Sequence, residues 1–311
     1  MGAELSRATH VARGLISAAL VGVLGVSAAT SSSVATTRRV LPAGHFTVSS
    51  FNVLGASHTP PGGRRASGAI RIGYASRLLT RHHVDVVGFQ ELQASQLTRF
   101  LALTAGTWAV YPGLHGARKV DSENSVGWRT GTFDLVSATT VNIPYFDGHP
   151  RAMPVVLLRE KSSGMLAYFA NFHNPGDTSR YRHQARWRLA ATEVEIALQR
   201  RLAATGIPRI MTGDMNDRAA YFCRVTAGAP LKAARPTSVR KNGVCSAGRP
   251  RAVDWILGSH RVTFGGYVED RSALVARTTD HPVIVSDVTV DPARFPNAWA
   301  ATPSVPAGLG G

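Results

Sequence analysis

Ile210-Met211-Thr212-Gly213-Asp214-Met215-Asn216-Asp217 is a short apolar run that breaks at a glycine and then presents a carboxylate and a carboxamide. Ile207 to Met211 is apolar, punctuated by Pro208, and reads as a buried strand. Gly213 permits a tight turn at the strand's end, where open α/β sheets hold their ligands. Asp214 and Asn216 emerge there side by side, one with acceptor oxygens only and the other with an acceptor and donors. Hydrolysis of a phosphate ester uses such a pair, because the attacking water must lose a proton and be held in line with the leaving oxygen. The same residues also fit an Asx turn whose side chains satisfy only local backbone groups. The rest of the chain has to decide between the two.

The chain has 311 residues, 44% of them hydrophobic, which suits one large domain or two small ones with a substantial core. Its formal net charge is +16, and only four of its 35 basic residues are lysines. Arginine suits bidentate phosphate recognition, so a polyanion or a membrane surface is a fitting partner. A passive arginine-rich surface gives the same composition.

Arg7, His10 and Arg13 precede an apolar run from Gly14 to Ala29, and the small residues Ser33-Val34-Ala35 follow. In outline, residues 1–35 are a secretory signal peptide cleaved after Ala29 or Ala35, with an uncleaved N-terminal anchor as the alternative. A secreted protein follows from the first reading and a membrane-anchored one from the second. No other stretch is long enough to span a bilayer. Cys223 and Cys245 then form either one disulfide in an oxidising compartment or two buried thiols; neither has zinc-ligand spacing. The catalytic domain is expected over 36–291, and the Pro-, Ala- and Gly-rich residues 292–311 as a flexible tail.

Phe46 to Leu54 alternates as a strand and delivers Asn52 to its end. Ile72, Ser76 and Leu79 recur at helical spacing; Val84 to Phe89 is a second buried strand, followed at once by Gln90-Glu91. Glu91 there either caps the helix carried by Leu97, Phe100 and Leu101 or binds Mg2+. Trp108 to Tyr111, Ser125 to Arg129, Phe133 to Val136, Val155 to Arg159 and Leu166 to Phe172 form a meander whose last strand exits at His173. Asp177 or Thr178 caps a long helix through Trp187, Ala191, Val194, Leu198 and Leu202. Tyr221 to Gly248 reads as loop. Asp254 then sits in an apolar strand and needs a partner, which Thr278-Thr279-Asp280-His281-Pro282, before the last strand Val283 to Val290, can supply.

In order, the polar strand ends are Asn52, Gln90-Glu91, His173, Gly213-Asp214-Met215-Asn216, Asp254 and Asp280-His281. This series over residues 45–290 resembles the endonuclease/exonuclease/phosphatase superfamily, the deoxyribonuclease I-like enzymes. The resemblance implies a four-layer α/β sandwich, with two mixed β-sheets face to face and helices outside. It also implies that Asn52 and Glu91 hold a metal, with Asp280 near it. Mg2+ is the first choice, with Mn2+ or Ca2+ as alternatives. Asp214 would direct the water, Asn216 and His281 would meet the phosphate, Asp254 would orient His281, and His173 would match the histidine or tyrosine of the fourth motif. Phe172-His173-Asn174-Pro175 departs from the commoner Thr-His-Leu, which leaves the role of His173 the least defined.

The activity so implied is metal-dependent hydrolysis of a phosphodiester, with nucleic acid preferred as substrate and a phospholipid headgroup as the alternative. A non-catalytic binding member of the same fold is the third reading. The turns Thr130-Gly131 and Lys161-Ser162-Ser163-Gly164 carry no aromatic cluster for entering a membrane. Arginines at Arg64-Arg65, Arg180 to Arg188 and Arg235 to Arg251 are placed to follow a polyanion. No obligate protein partner is inferred, and the chain reads as a monomer.

Overall fold

The computed structural model describes residues 41–59, 62–63, 65–116, 118–239, 244–248 and 252–301; the leader expected at 1–35 lies outside them. The first half runs β1 (Gly44–Asn52), α1 (Gly68–Arg81), β2 (Val86–Gln90), α2 (Ala94–Thr104), β3 (Trp108–Tyr111), β4 (Ser125–Arg129), β5 (Phe133–Pro144), β6 (Pro150–Glu160) and β7 (Leu166–His173). The second runs α3 (Ala185–Ala203), β8 (Arg209–Asp214), α4 (Ala219–Gly228), β9 (Leu231–Ala233), β10 (Ser238–Val239), β11 (Cys245–Ser246), β12 (Asp254–Ser259), β13 (Thr263–Asp270), α5 (Ala273–Thr278) and β14 (Val283–Val290).

Two six-stranded mixed sheets result, ordered β13-β14-β1-β2-β4-β3 and β5-β6-β7-β8-β12-β9. Each holds one parallel pair, β1 with β2 and β7 with β8, among antiparallel neighbours. The period of two along each strand sorts side chains between layers. In β7, Ala167 and Phe169 face the space between the sheets, where Phe46, Val156, Ile210, Ile256 and Val288 also pack. Leu166, Tyr168, Ala170 and Phe172 face the other way, against Leu198 of α3 and Phe222 of α4. On the far side of the first sheet, Phe51 and Phe89 meet Ile72 and Leu79 of α1 and Phe100 of α2. Helix, sheet, sheet and helix layers are therefore each glued by buried side chains contributing roughly 1.5–3 kcal/mol apiece. This is the four-layer α/β sandwich that the resemblance implies.

Toward the functional end the apolar space between the sheets gives way to a polar seam. Asn171 of β7 donates through Nδ2 to Phe89 O at 2.6 Å, and its Oδ1 accepts from Gln90 Nε2 at 2.6 Å and from the Thr212 hydroxyl at 3.0 Å. A Cβ on Gly88 would lie 1.9 Å from Thr212 Oγ1, so glycine is what lets the two sheets approach there.

Several elements differ from the sequence reading. β5 runs on past Val136 to Pro144; most of it is solvent-accessible, so it carries no buried alternation to read. The stretch expected as loop from Tyr221 holds α4 and β9, and Tyr221, Phe222 and Val225 are buried there. The helix expected to be capped at Asp177 or Thr178 starts at Ala185, because Asp177 Oδ1 accepts instead from the backbone N–H of Gln184 at 2.7 Å. β13, an edge strand with a bulge between Gly265 and Val268, and the short α5 have no clear apolar period. Of the tail expected to be loose at 292–311, residues 302–311 lie outside the described residues, and 292–301 are packed: Phe295 and Ala298 are buried, Trp299 Nε1 donates to Ser163 O at 3.0 Å, and Asn297 Nδ2 donates to Thr205 O at 2.8 Å. Cys223 and Cys245 form a disulfide.

Candidate active site

Strand direction gathers the polar residues. β1, β2, β7 and β8 end where β12 and β14 begin, so Asn52 is in register with Gln90, His173 with Asp214, and Asp214 with Asp254. Thr279 locks the last segment on: its hydroxyl donates to Asn52 O at 2.7 Å and accepts the His281 N–H at 3.2 Å.

Asp214 is the hub. Its Oδ1 accepts the Asn216 N–H at 3.0 Å, and its Oδ2 accepts Asn52 Nδ2 at 3.1 Å. His173 Nε2 and His281 Nε2 each stand 3.6 Å from that same Oδ2, too far for a hydrogen bond and close enough to flank one small ligand atom. Behind His281, its Nδ1 lies 3.0 Å from Asp254 Oδ1. Asp254 therefore finds the partner its burial demands. Burial pushes the His281 ring toward neutrality, but the charges of Asp254, Asp214 and Asp280 raise it to about 10. Burial likewise raises the Asp254 carboxyl, against the pull of His281. As a pair they hold one proton, which the ring keeps at neutral pH.

Glu91 follows β2 in a left-handed conformation, φ +59°, as does Asn216 at +48°. Such backbone concentrates at functional sites. Glu91 Oε1 accepts from Asn52 Nδ2 at 2.9 Å; its Oε2 accepts from the Gly55 N–H at 2.9 Å and stands 3.2 Å from His58 Nδ1. Burial alone would raise this carboxyl, yet the His58 ring, the His173 charge, Gly55 and Asn52 hold it well below the usual carboxylate range. Glu91 is thus an ionised oxygen donor beside a second carboxylate, Asp214, with one Asn52 amide between them. Such hard oxygen donors fit Mg2+. The helix-cap alternative for Glu91 drops out, since Gln93 is the residue before α2. Asp214, Asp254 and His281 also bring three ligand-type atoms within 4.8 Å of one another. A metal on His281 would have to displace the proton that the neighbouring carboxylates hold on its ring, so Glu91 is the better anchor.

A cleft of about 280 Å³ opens over Glu91, His173, Asp214, Asn216 and His281. Asn52 and Asp254 are buried behind it. Asp280 is exposed, lies outside its lining, and among the described residues accepts a side-chain hydrogen bond from the Thr279 hydroxyl at 3.4 Å. It acts on His281 as a nearby negative charge.

The sequence profile of the endonuclease/exonuclease/phosphatase family matches residues 49–287, which span every strand end of this cleft. The chain belongs to that family. Its fold is similar to that of a Bacteroides thetaiotaomicron member of the endonuclease/exonuclease/phosphatase family (TM-score 0.62, 16% identity, 80% of this chain and 99% of that one). It is also similar to the human Nocturnin catalytic domain with bound sulfate anion (TM-score 0.61, 16% identity, 81% and 96%). A third likeness is to a Bacteroides thetaiotaomicron mannosyl-6-phosphatase (TM-score 0.59, 17% identity, 78% and 99%). No curated protein matches the chain at a significant level.

Within this family frame, several residues of the site escaped the sequence reading. His58 sits in the loop after Asn52, a lone histidine with no motif around it. The β5–β6 hairpin does carry aromatics: Phe146 stacks on Tyr181 with centroids 4.3 Å apart, and Tyr145 packs its ring 5.8 Å from that of His173. Tyr145 and Phe146 line the cleft, with Glu123 and Arg151 paired beside them. A strand read as ending at Val136 hid that hairpin. Of the expected arginines, Arg188 is taken up by Asp177 at 2.9 Å and Arg235 is buried, 4.1 Å over the Trp255 ring and donating to Asp254 O. Arg65 is nearer the site, donating to Thr279 O at 3.4 Å.

Proposed function

We propose that this chain hydrolyses phosphodiester bonds by in-line attack of a water activated at Asp214. The observation that carries this reading is the convergence of Asn52, His173 and His281 on the single oxygen Asp214 Oδ2. Asp214 is acceptor-only when ionised and takes the water's proton. His281, kept as imidazolium by Asp254, stabilises the negative charge gathering on the phosphate, and Asn216 steadies a second oxygen. His173, across the cleft, is placed to give a proton to the leaving alkoxide. A divalent cation, Mg2+ first, would be held by Glu91 and would act as a Lewis acid on a non-bridging oxygen. Asn52, expected as a second ligand, instead turns its Nδ2 to Glu91 and Asp214 and its Oδ1 to the Leu54 N–H at 3.0 Å, so it orients the two carboxylates.

Nucleic acid is the preferred substrate. The net charge of +16 and the arginine beside Thr279 favour a polyanion. Phospholipid cleavage is less well supported, because the aromatic residues of the β5–β6 hairpin are half-buried in the cleft wall and not free to enter a bilayer. The leader-like segment 1–35 and the Cys223–Cys245 bond both suit export to an oxidising compartment.

The test is release of nitrophenol from bis(nitrophenyl) phosphate with Mg2+ and after EDTA. Turnover that stops with the chelator supports the reading, and no turnover of this or any phosphate ester overturns it. Plasmid, single-stranded DNA and RNA run beside sphingomyelin and phosphatidylinositol vesicles decide the substrate. Cleavage of vesicles alone reverses the preference.

A further inference from the structure

Beneath the site, three polar side chains from separate elements meet in the interior. Glu195, on the inner face of α3, is fully buried. Its Oε1 accepts from Asn174 Nδ2 at 2.8 Å and its Oε2 from the Tyr221 hydroxyl of α4 at 2.6 Å. A carboxyl in such a place is costly, and a leucine would serve the helix–sheet contact better. Burial drives it up to about 7 even though Tyr221 and Asn174 pull the other way. Packing gives no reason for it to be there.

What Glu195 holds is the residue directly after His173. Asn174 turns its side chain inward to Glu195 and its backbone outward to the site: its N–H donates to Asp214 O at 2.9 Å, and its carbonyl accepts from Asn216 Nδ2 at 2.8 Å. On the other side, a Cβ on Gly176 would come within 2.6 Å of Asn216 Oδ1. The Asn174-Pro175-Gly176 loop thus clamps the carboxamide, and α3 anchors the loop through Glu195 and through Arg188 Nη1, which donates to Pro175 O at 3.0 Å. Asn216, held in left-handed backbone, depends on that clamp for its orientation.

We propose that Glu195 is a positioning residue for the phosphoester reaction, fixing through Asn174 where the Asn216 carboxamide meets the phosphate. This rests on the function proposed above. A group that steadies a crowded phosphate must be placed to within about half an ångström, and its contact matters most in the transition state. Loosening it therefore lowers kcat and leaves substrate binding nearly alone.

Glu195→Met keeps the volume and removes both acceptors, whereas Glu195→Gln keeps an acceptor for Asn174. With full-length protein, Mg2+ and bis(nitrophenyl) phosphate, Glu195→Met lowers kcat by about tenfold to a hundredfold with KM within about twofold, and Glu195→Gln restores most of it. In parallel, hydrogen exchange at the Asn216 side-chain amide, followed by NMR, speeds up in Glu195→Met and returns to the wild-type rate in Glu195→Gln. Asn174→Ala cuts the same link from the other side and gives the same pattern, which keeps the test available if Glu195→Met does not fold. A folded Glu195→Met or Asn174→Ala protein with unchanged kcat and unchanged Asn216 exchange overturns the proposal, as does a Gln variant no better than Met in both readouts. If wild-type protein turns over no phosphate ester, the functional reading falls, and Asn216 exchange still decides whether Glu195 holds that side chain.

Discussion

Asp254 Oδ1 lies 3.0 Å from His281 Nδ1, joining the first residue of β12 to the segment just before β14, two strands that belong to different sheets. The pair bridges the sandwich at the back of the cleft and turns the ring so that Nε2 faces Asp214.

If Asp254 acts only through that ring, Asp254→Asn and His281→Ala lower kcat to similar degrees, and the double variant is little worse than either single one. Each single loss is on the order of a hundredfold. Losses that multiply in the double-mutant cycle would separate the two residues.

The groups around Glu91 hold its carboxylate firmly ionised. Glu91→Ala accordingly binds Mg2+ at least about tenfold more weakly while staying folded. Calorimetric titration of the metal, with circular dichroism as the folding control, checks this without recourse to turnover. Undiminished Mg2+ affinity would move the metal elsewhere.

Arg71 is fully buried and, among the described residues, has no carboxylate within ion-pair distance. Its Nη1 donates to Val53 O at 2.8 Å, Leu54 O at 2.7 Å and Thr278 O at 3.0 Å, and its Nη2 to Gly55 O at 3.2 Å. One guanidinium thus ties the loop after Asn52 to the end of α5. Arg71→Lys keeps the charge but loses the planar fork, and should destabilise the fold by about 3 kcal/mol or more. Urea unfolding measures it, and a midpoint within error of wild type contradicts it.

Glu195 gives stability a pH signature. Burial raises its carboxyl from the ordinary 4.5 to about 7, so folding takes up a proton between those values. The stability this group lends is complete below about pH 4.5 and is lost as the pH rises through 7, a change on the order of 3 kcal/mol. Glu195→Gln does not titrate, so it should gain on wild type by that amount between about pH 5 and pH 8.5. Urea unfolding of both proteins at the two pH values is the check; an equal difference at both would show that Glu195 keeps an ordinary pKa.

The sequence by itself carried the interior strands and the residues at their ends. Val84 to Phe89, Leu166 to Phe172 and Ile207 to Met211 are buried on both faces, so hydrophobicity alone marks them, and a strand reading fixes which polar residue stands at each exit. It also marked α1, α2 and most of α3, where one apolar stripe faces a sheet. Edge elements were illegible for the opposite reason. β5 and β13 are largely exposed, so no burial constrained their sequence into a pattern, and with β5 went the hairpin that brings Tyr145 and Phe146 into the cleft. Only the tertiary structure decided which strand ends meet. Asn52, His173, Asp214, Asp254 and His281 come together because each sheet places a parallel pair beside antiparallel partners and the two sheets close on each other at Gly88. Those pairings join residues far apart in the chain, and no local pattern of side chains records them.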